Sequence, residues 1–353
     1  MNIKDIPFYR LINQQIAGHK FSKPVEIVSW MGAMQAQDFN MAKWAIGVRL
    51  PGTSKKIIED AVDKGEIIRT HLLRPTWHFV TREDVRWMIE LTAPHIKSSL
   101  NSRHNFLGFT QSIIKKSFQI IEKALAGGNH LTREELMAEL KKAKIDITEN
   151  RSSHIMLMAE LEKLVCSGAS KGKKQTYALF DERVPKSKSI KREDALAKLA
   201  ERYFTSHGPA TIKDFVWWSG LPVGEARKAI ELIRSKFISE KIDEKEYWFI
   251  DSIKIPNKVK SSVYLLPAYD EFTISYTDRS AVLNPKVINK AISNNGIFKP
   301  IIVVDGQVAG LWKPVKTKDK ISIETEYFIK QDKVVKSLIE KRAKEFRDFF
   351  ILY

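Results

Sequence analysis

Cysteine is nearly absent: Cys166 is the only one in 353 residues. No intramolecular disulfide can form, and a cysteine-built zinc site is disfavoured. Long apolar runs are missing too. None approaches the ~20 residues that cross a bilayer. The opening Met1-Asn2-Ile3-Lys4-Asp5 lacks the basic-then-apolar order of a secretion signal. These absences lead us to expect a cytoplasmic protein in a reducing setting, with no membrane partner. The chain also has no His-x-x-x-His pair, no Walker loop and no Gly-x-Gly-x-x-Gly. Metal and nucleotide chemistry are therefore disfavoured, and neither a metal nor a cofactor is expected.

Basic residues are plentiful. Lys and Arg number 59 against 42 Asp and Glu, for a formal charge of +17 and a pI near 9.6. The excess is spread along the chain: +4 over residues 1–100, +7 over 101–200 and +6 over 201–353. A mildly basic body of this kind suits a protein lying along a polyanion, although a solubilising surface would look the same. With 43% hydrophobic and 29% charged residues the chain is globular. Its length allows two to four units at ~100–200 residues each.

Helical periodicity dominates the first two-thirds. Apolar stripes predict helices over 5–17, from Pro24, over Met41–Leu50 and over Lys55–Lys64. Strand-like runs follow at Ile67–Leu73 and Thr76–Val80. Several helices followed by a two-stranded ribbon is the outline of a winged helix. Thr81 and Asp84 read as the capped start of a helix that stops before Pro94. The outline returns with helices over 111–125, after Thr132 and over Arg151–Val165, then a hairpin around residues 167–176. It returns again from 190, with Thr211 capping a helix into Trp217-Trp218 and a ribbon over Phe237–Asp251. After that, strands at Val263–Leu266, Ile301–Val304, Val308–Leu311 and Ile321–Tyr327 precede a helix over Val334–Phe350. Asp305-Gly306 marks a tight hairpin. The expected fold is mainly α with α+β modules. Three tandem winged helices (1–98, 99–184 and 185–257) precede a small β-rich domain at 258–353.

Three segments carry candidate chemistry. In Met34-Gln35-Ala36-Gln37-Asp38-Phe39 an extended backbone puts Gln35 and Gln37 on one face, where two amides can hold a water or a base edge. Taken alone, the pair reads first as ordinary polar residues capping a helix end. In Arg69-Thr70-His71-Leu72-Leu73-Arg74-Pro75-Thr76-Trp77-His78, His78 could titrate, bind phosphate or stack, or simply be hydrogen-bonded structure. Lys171, Lys173 and Lys174 crowd a glycine-containing hairpin tip, where ammonium groups reach phosphates. Trp217-Trp218 read as core and rim of the third unit, not as a stacking platform.

Three motifs in order then resemble the AlkZ-like/YcaQ-like winged-helix DNA glycosylases. They are Met34-Gln35-Ala36-Gln37-Asp38, Arg74-Pro75-Thr76-Trp77-His78-Phe79-Val80, and Leu265-Leu266-Pro267-Ala268-Tyr269-Asp270-Glu271 continuing to Tyr276-Thr277-Asp278-Arg279-Ser280. The resemblance implies three winged helices plus a β-barrel-like C-terminal domain, wrapped into a concave DNA-binding shape. It also implies action on double-stranded DNA that is alkylated or crosslinked, with nucleoid association when bound; three unlike modules in one chain argue for a monomer wrapping one site, where a regulator would pair as a two-fold dimer. Gln35-Ala36-Gln37 is similar to the Gln-apolar-Gln signature of the AlkZ-like branch, which makes Gln35 and Gln37 the expected catalytic pair. Asp38 and His78 are auxiliary candidates. Arg69, Arg74, Lys171, Lys173, Lys174 and Arg279 are the expected DNA contacts. Two features depart from the pattern: Pro75, where glycine is expected, and the lysine-rich second hairpin.

A glutamine amide is no general base near pH 7, but its oxygen can orient water. An N7-alkylated purine is already cationic, so positioning water and stabilising an oxocarbenium-like sugar are the tasks that remain. The motif thus predicts excision of cationic lesions, N7-alkylguanine and N3-alkyladenine, and of bulky or crosslinked adducts that an open cleft would admit. Asp38, whose simpler role is helix capping, is the rival for that water. The alternative function is a non-enzymatic winged-helix DNA-binding protein, either a regulator or a repair accessory.

Overall fold

The fold is that of a computed structural model describing residues 2–250, 261–317 and 320–351. Asp251 and the 257/258 boundary expected from the sequence lie outside these residues. One wiring pattern occurs three times. β1 (Met34–Gln35) pairs with the second strand of the hairpin β2 (Ile67–Leu72) and β3 (Thr76–Thr81), giving the order β1-β3-β2. β4 (Leu131–Thr132), β5 (Val165–Ser167) and β6 (Thr176–Leu179) repeat it as β4-β6-β5. In the third round, β7 (Ile238–Ile242) and β8 (Lys245–Phe249) form the hairpin, and Ala210 alone bridges to Trp248. Each extended stretch leads straight into a helix with a polar side chain at its start. Asp38 accepts from the Asn40 and Met41 N–H groups, and Thr132 and Thr211 form capping boxes with Glu135 and Asp214.

Two expectations are corrected. The helix starting at Val85 does not stop before Pro94 but runs to Phe106. Pro94 is exposed, so its ring sits on the solvent side. Buried Trp87, Leu91 and Ile96 hold the helix on the other side. The C-terminal unit is also not barrel-like. β9 (Val263–Leu266), β10 (Ile301–Val304), β11 (Gln307–Lys316) and β12 (Ile321–Tyr327) form an open sheet in the order β12-β11-β10-β9. Among the described residues the ends do not meet: β12 is mostly exposed, and the helix Lys333–Ile351 packs on the sheet. The β10–β11 turn has positive φ at Asp305 and Gly306 (47° and 80°), the geometry of a two-residue hairpin.

Packing fuses the units. Leu72, Met88, Leu157, Phe180, Tyr203 and Trp218 share one core, which draws on all three helical units. Met31, Trp44 and Phe79 share another with Leu265, Trp312 and Phe346 of the C-terminal unit. Among the described residues, the second unit keeps a separate core of its own around Leu136, Leu140, Ile155 and Val165. The first unit, carrying Gln35, is thus clamped from two sides.

Candidate active site

β1 brings Gln35 alongside His78 of β3, and the Ala36 N–H donates to the Trp77 carbonyl at 2.7 Å. The backbone then bends at residues 37 and 38. Gln35 is buried at 6% exposure, whereas Gln37 is exposed. Asp38 is a helix cap: its Oδ1 accepts from Asn40 and Met41 at 3.0 Å each.

Gln35 is held at both ends. Its backbone N–H donates to Oε1 of Glu271 at 2.6 Å, and its side-chain Oε1 accepts from Arg74 Nη2 at 2.9 Å. Guanidinium can only donate, so the second bond fixes which end of the amide faces Arg74. Arg74 sits in the β2–β3 turn after Leu73, whose φ is +59°. That turn abuts the helix Ile212–Ser219 at Gly220, where a Cβ would fall 2.6 Å from the Leu73 carbonyl oxygen. Pro75 is exposed in the same turn.

Glu271 is buried, and the sequence motif did not reveal its role. Its Oε2 accepts from the Ser275 hydroxyl and from Trp218 Nε1 (3.3 Å), and lies 3.5 Å from His207 Nε2. Burial alone would raise its pKa. The contacts from His207, Ser275 and the Gln35 N–H outweigh burial and hold the carboxyl well below the usual range. The next residue back, Asp270, caps the same short helix and pairs with buried Arg49 through two bonds of 2.8 and 2.9 Å. Gln14 and Tyr276 extend this buried polar layer. The available sequence signal was two adjacent carboxylates in an otherwise apolar stretch.

His78 is fully buried. Burial first, then the nearby Arg74 charge, push its pKa down to about 4. Its Nδ1 lies 2.9 Å from the Thr76 carbonyl, so the neutral ring carries its proton there. Nε2 is left as an acceptor with no hydrogen-bond partner among the described residues.

The expected DNA contacts divide. Arg69 is buried: it donates to the Ala36 carbonyl (3.0 Å) and Gln175 Oε1 (2.7 Å), and stacks 4.0 Å from the Trp77 ring centre. It thereby ties the glutamine segment to the second unit's hairpin. Arg279 donates to the Thr273 and Thr277 carbonyls and is half-buried. Lys171 pairs with Glu135 at 2.5 Å and Lys174 with Glu134 at 3.8 Å, whereas Lys173 has no ion pair among the described residues. Lys173 lines a groove of about 700 Å³ together with Asp38, Phe39, Lys43 and Lys316, which places the second hairpin beside the glutamine segment. Among the described residues no cluster of three or more His, Cys, Asp or Glu side chains is placed to hold a metal ion. No described helix is long and apolar enough to cross a membrane.

The family signature described as DNA glycosylase AlkZ-like matches residues 28–349. An interstrand DNA cross-link repair glycosylase from Streptomyces sahachiroi is 20% identical over 314 residues, spanning 82% of each chain. The solved structure of Streptomyces sahachiroi DNA glycosylase AlkZ superimposes with a TM-score of 0.82 at 18% identity, covering 99% of this chain and 96% of that one. The fold is therefore that of AlkZ, and with the signature spanning nearly the whole length the chain belongs to the AlkZ-like DNA glycosylase family.

Proposed function

We propose that this protein is a monofunctional, metal-independent DNA repair glycosylase that removes cationic alkylated purines, including bulky or crosslinked adducts, as a monomer. Three winged helices (1–98, 99–184 and 185–257) bind the duplex, and residues 258–353 brace the first. The observation that carries this reading is the double hold on Gln35 by Glu271 and Arg74, with Gln37 exposed two residues on. Family membership and the cross-link repair role given for the Streptomyces relative support it.

The chemistry balances without an added acid. The C1′–N9 bond breaks and its electron pair neutralises the purine cation. Water oxygen bonds to C1′, and the water proton passes to solvent. The protein's task is to orient that water and to favour positive charge on the sugar. The Gln37 amide oxygen is free to accept from the water. Gln35, already fixed through Arg74, sets where the segment lies. Glu271 stays ionised behind it, and in a buried setting its negative charge favours the developing oxocarbenium.

The test is base release by the purified protein from a duplex holding one N7-methylguanine, read as strand scission after heat or alkali. Release above the uncatalysed rate is expected. Tight binding without release would instead make the protein a non-enzymatic DNA-binding protein.

A further inference from the structure

Two adjacent tryptophans on the helix Ile212–Ser219 have opposite fates. Trp218 is fully buried in the shared core, whereas Trp217 is 41% exposed. The partly exposed indole is fixed: its Nε1 donates to the Ile274 carbonyl at 2.7 Å. Two guanidiniums stand at its ring, Arg74 at 5.2 Å and Arg279 at 5.7 Å from the centre. The Arg74 guanidinium is also the group that donates to Gln35 Oε1. One side chain therefore spans from the Gln35 amide to an exposed aromatic surface.

We propose that Trp217 is a nucleobase-stacking site of the reaction centre, receiving on its exposed part the purine displaced from the helix at the lesion, beside Arg74 and Arg279. The chemistry matches on two counts. Stacking on an aromatic side chain contributes about 1–3 kcal/mol per base and tolerates any base, since every base has a π-face. Unstacking a damaged base costs a few kcal/mol, a deficit that stacking of this size offsets. The hydrogen bond to Ile274 keeps the ring in place before DNA arrives, so little side-chain entropy is lost on binding.

This inference rests on the glycosylase reading, and the test separates the two. The probe is a duplex of about 20 base pairs with 2-aminopurine opposite a tetrahydrofuran abasic analogue, so no glycosidic bond need break. Binding of wild type should quench the 2-aminopurine further. Trp217→Ala should lose that quenching and weaken binding by about 5- to 150-fold, the range that 1–3 kcal/mol implies. Trp217→Phe should retain most of both. Trp217→Leu keeps an apolar side chain without a π-face: if it behaves like the alanine variant the assignment stands, and if it behaves like wild type the assignment falls. Wild-type quenching and affinity in Trp217→Ala would equally overturn it. Should wild type quench the probe but release no N7-methylguanine, the stacking site stands and the glycosylase reading fails. Release without Trp217-dependent quenching leaves the glycosylase reading standing and overturns the stacking site.

Discussion

The main-chain N–H of Gln35 donates to Oε1 of Glu271 over 2.6 Å, although 236 positions separate the two residues. The bond fixes the end of β1 against the short helix Glu271–Ile274. Because Glu271 also accepts from Ser275 and Trp218, its alanine variant would strand several buried donors, at about 1–3 kcal/mol each. The informative change is Glu271→Gln, which keeps an acceptor of the same size and removes the charge. Its kcat for base release should fall about 10-fold or more while KM stays within about 3-fold, since an effect confined to the transition state appears in kcat. Single-turnover and steady-state kinetics on N7-methylguanine duplex check this, and a wild-type kcat would reduce Glu271 to scaffolding.

Gln35 and Gln37 should separate in stability though not in activity. Either alanine variant should lower base release at least ~10-fold with DNA affinity near wild type. Gln35→Ala also leaves the Arg74 guanidinium short of its acceptor, so it should lower the melting temperature by several degrees. Exposed Gln37→Ala should leave it unchanged. Full activity in the double variant would move the chemistry to Asp38 or His78.

Signals in the sequence are legible where the physics is local. Asp305-Gly306 marks its hairpin, and Thr132 with Glu135 marks a capped helix, because each depends on residues no more than three apart. Gln35 and Gln37 are legible as a motif. Their different burial is not, since it follows from the bend at Asp38 and from packing against a distant helix. The Arg49–Asp270 pair and the Gln35–Glu271 bond each join residues more than 200 positions apart, and no periodicity reports such contacts. Pro94 misleads for a related reason: tertiary burial of Leu91 and Ile96 outweighs a strong local stop signal. The sequence places Trp217 at a rim, and only the fold brings it to Arg74.

The lysine-rich hairpin should contribute electrostatically and without regard to lesion. Lys171 and Lys174 already face Glu135 and Glu134, so replacing all three lysines also uncovers two carboxylates. The triple alanine variant should flatten the salt dependence of DNA binding by up to ~3 phosphate equivalents, and Lys173→Ala alone by up to ~1. Lesion preference should not change. Affinities measured across a salt series decide this, and an unchanged slope would leave the hairpin a solubilising loop.

Stability should fall as acid is added well before carboxylates titrate. His78 is neutral in the folded chain down to about pH 4, while an unfolded histidine binds a proton near 6.5. Between those values the unfolded state holds the extra proton, so unfolding becomes easier as pH drops. The full span is worth up to about 3 kcal/mol, at ~1.4 kcal/mol per pH unit. Urea denaturation of wild type and His78→Asn at pH 7, 6 and 5 should show a shallower decline in the variant, by about one proton. Parallel declines would mean His78 is not buried neutral.

The substrate range follows from the glutamines. An amide orients water but cannot donate a proton to a departing base, so only a base with its own positive charge should leave. Release is expected for N7-alkylguanine and N3-alkyladenine, and absent for uracil or 1,N6-ethenoadenine. Each ~1.4 kcal/mol of missing leaving-group activation costs a factor of ten in rate, and a neutral base lacks many such increments. His78 titrates near pH 4, burial holds His207 below the ordinary histidine value, and Glu271 titrates lower still. The rate on cationic lesions should therefore be nearly flat between about pH 6 and 8. Duplexes carrying each lesion, scored for strand scission after heat or alkali across that range, supply both readouts. Efficient excision of a neutral lesion, or a steep bell-shaped profile, would replace water positioning by a true acid–base group and return Asp38 to contention.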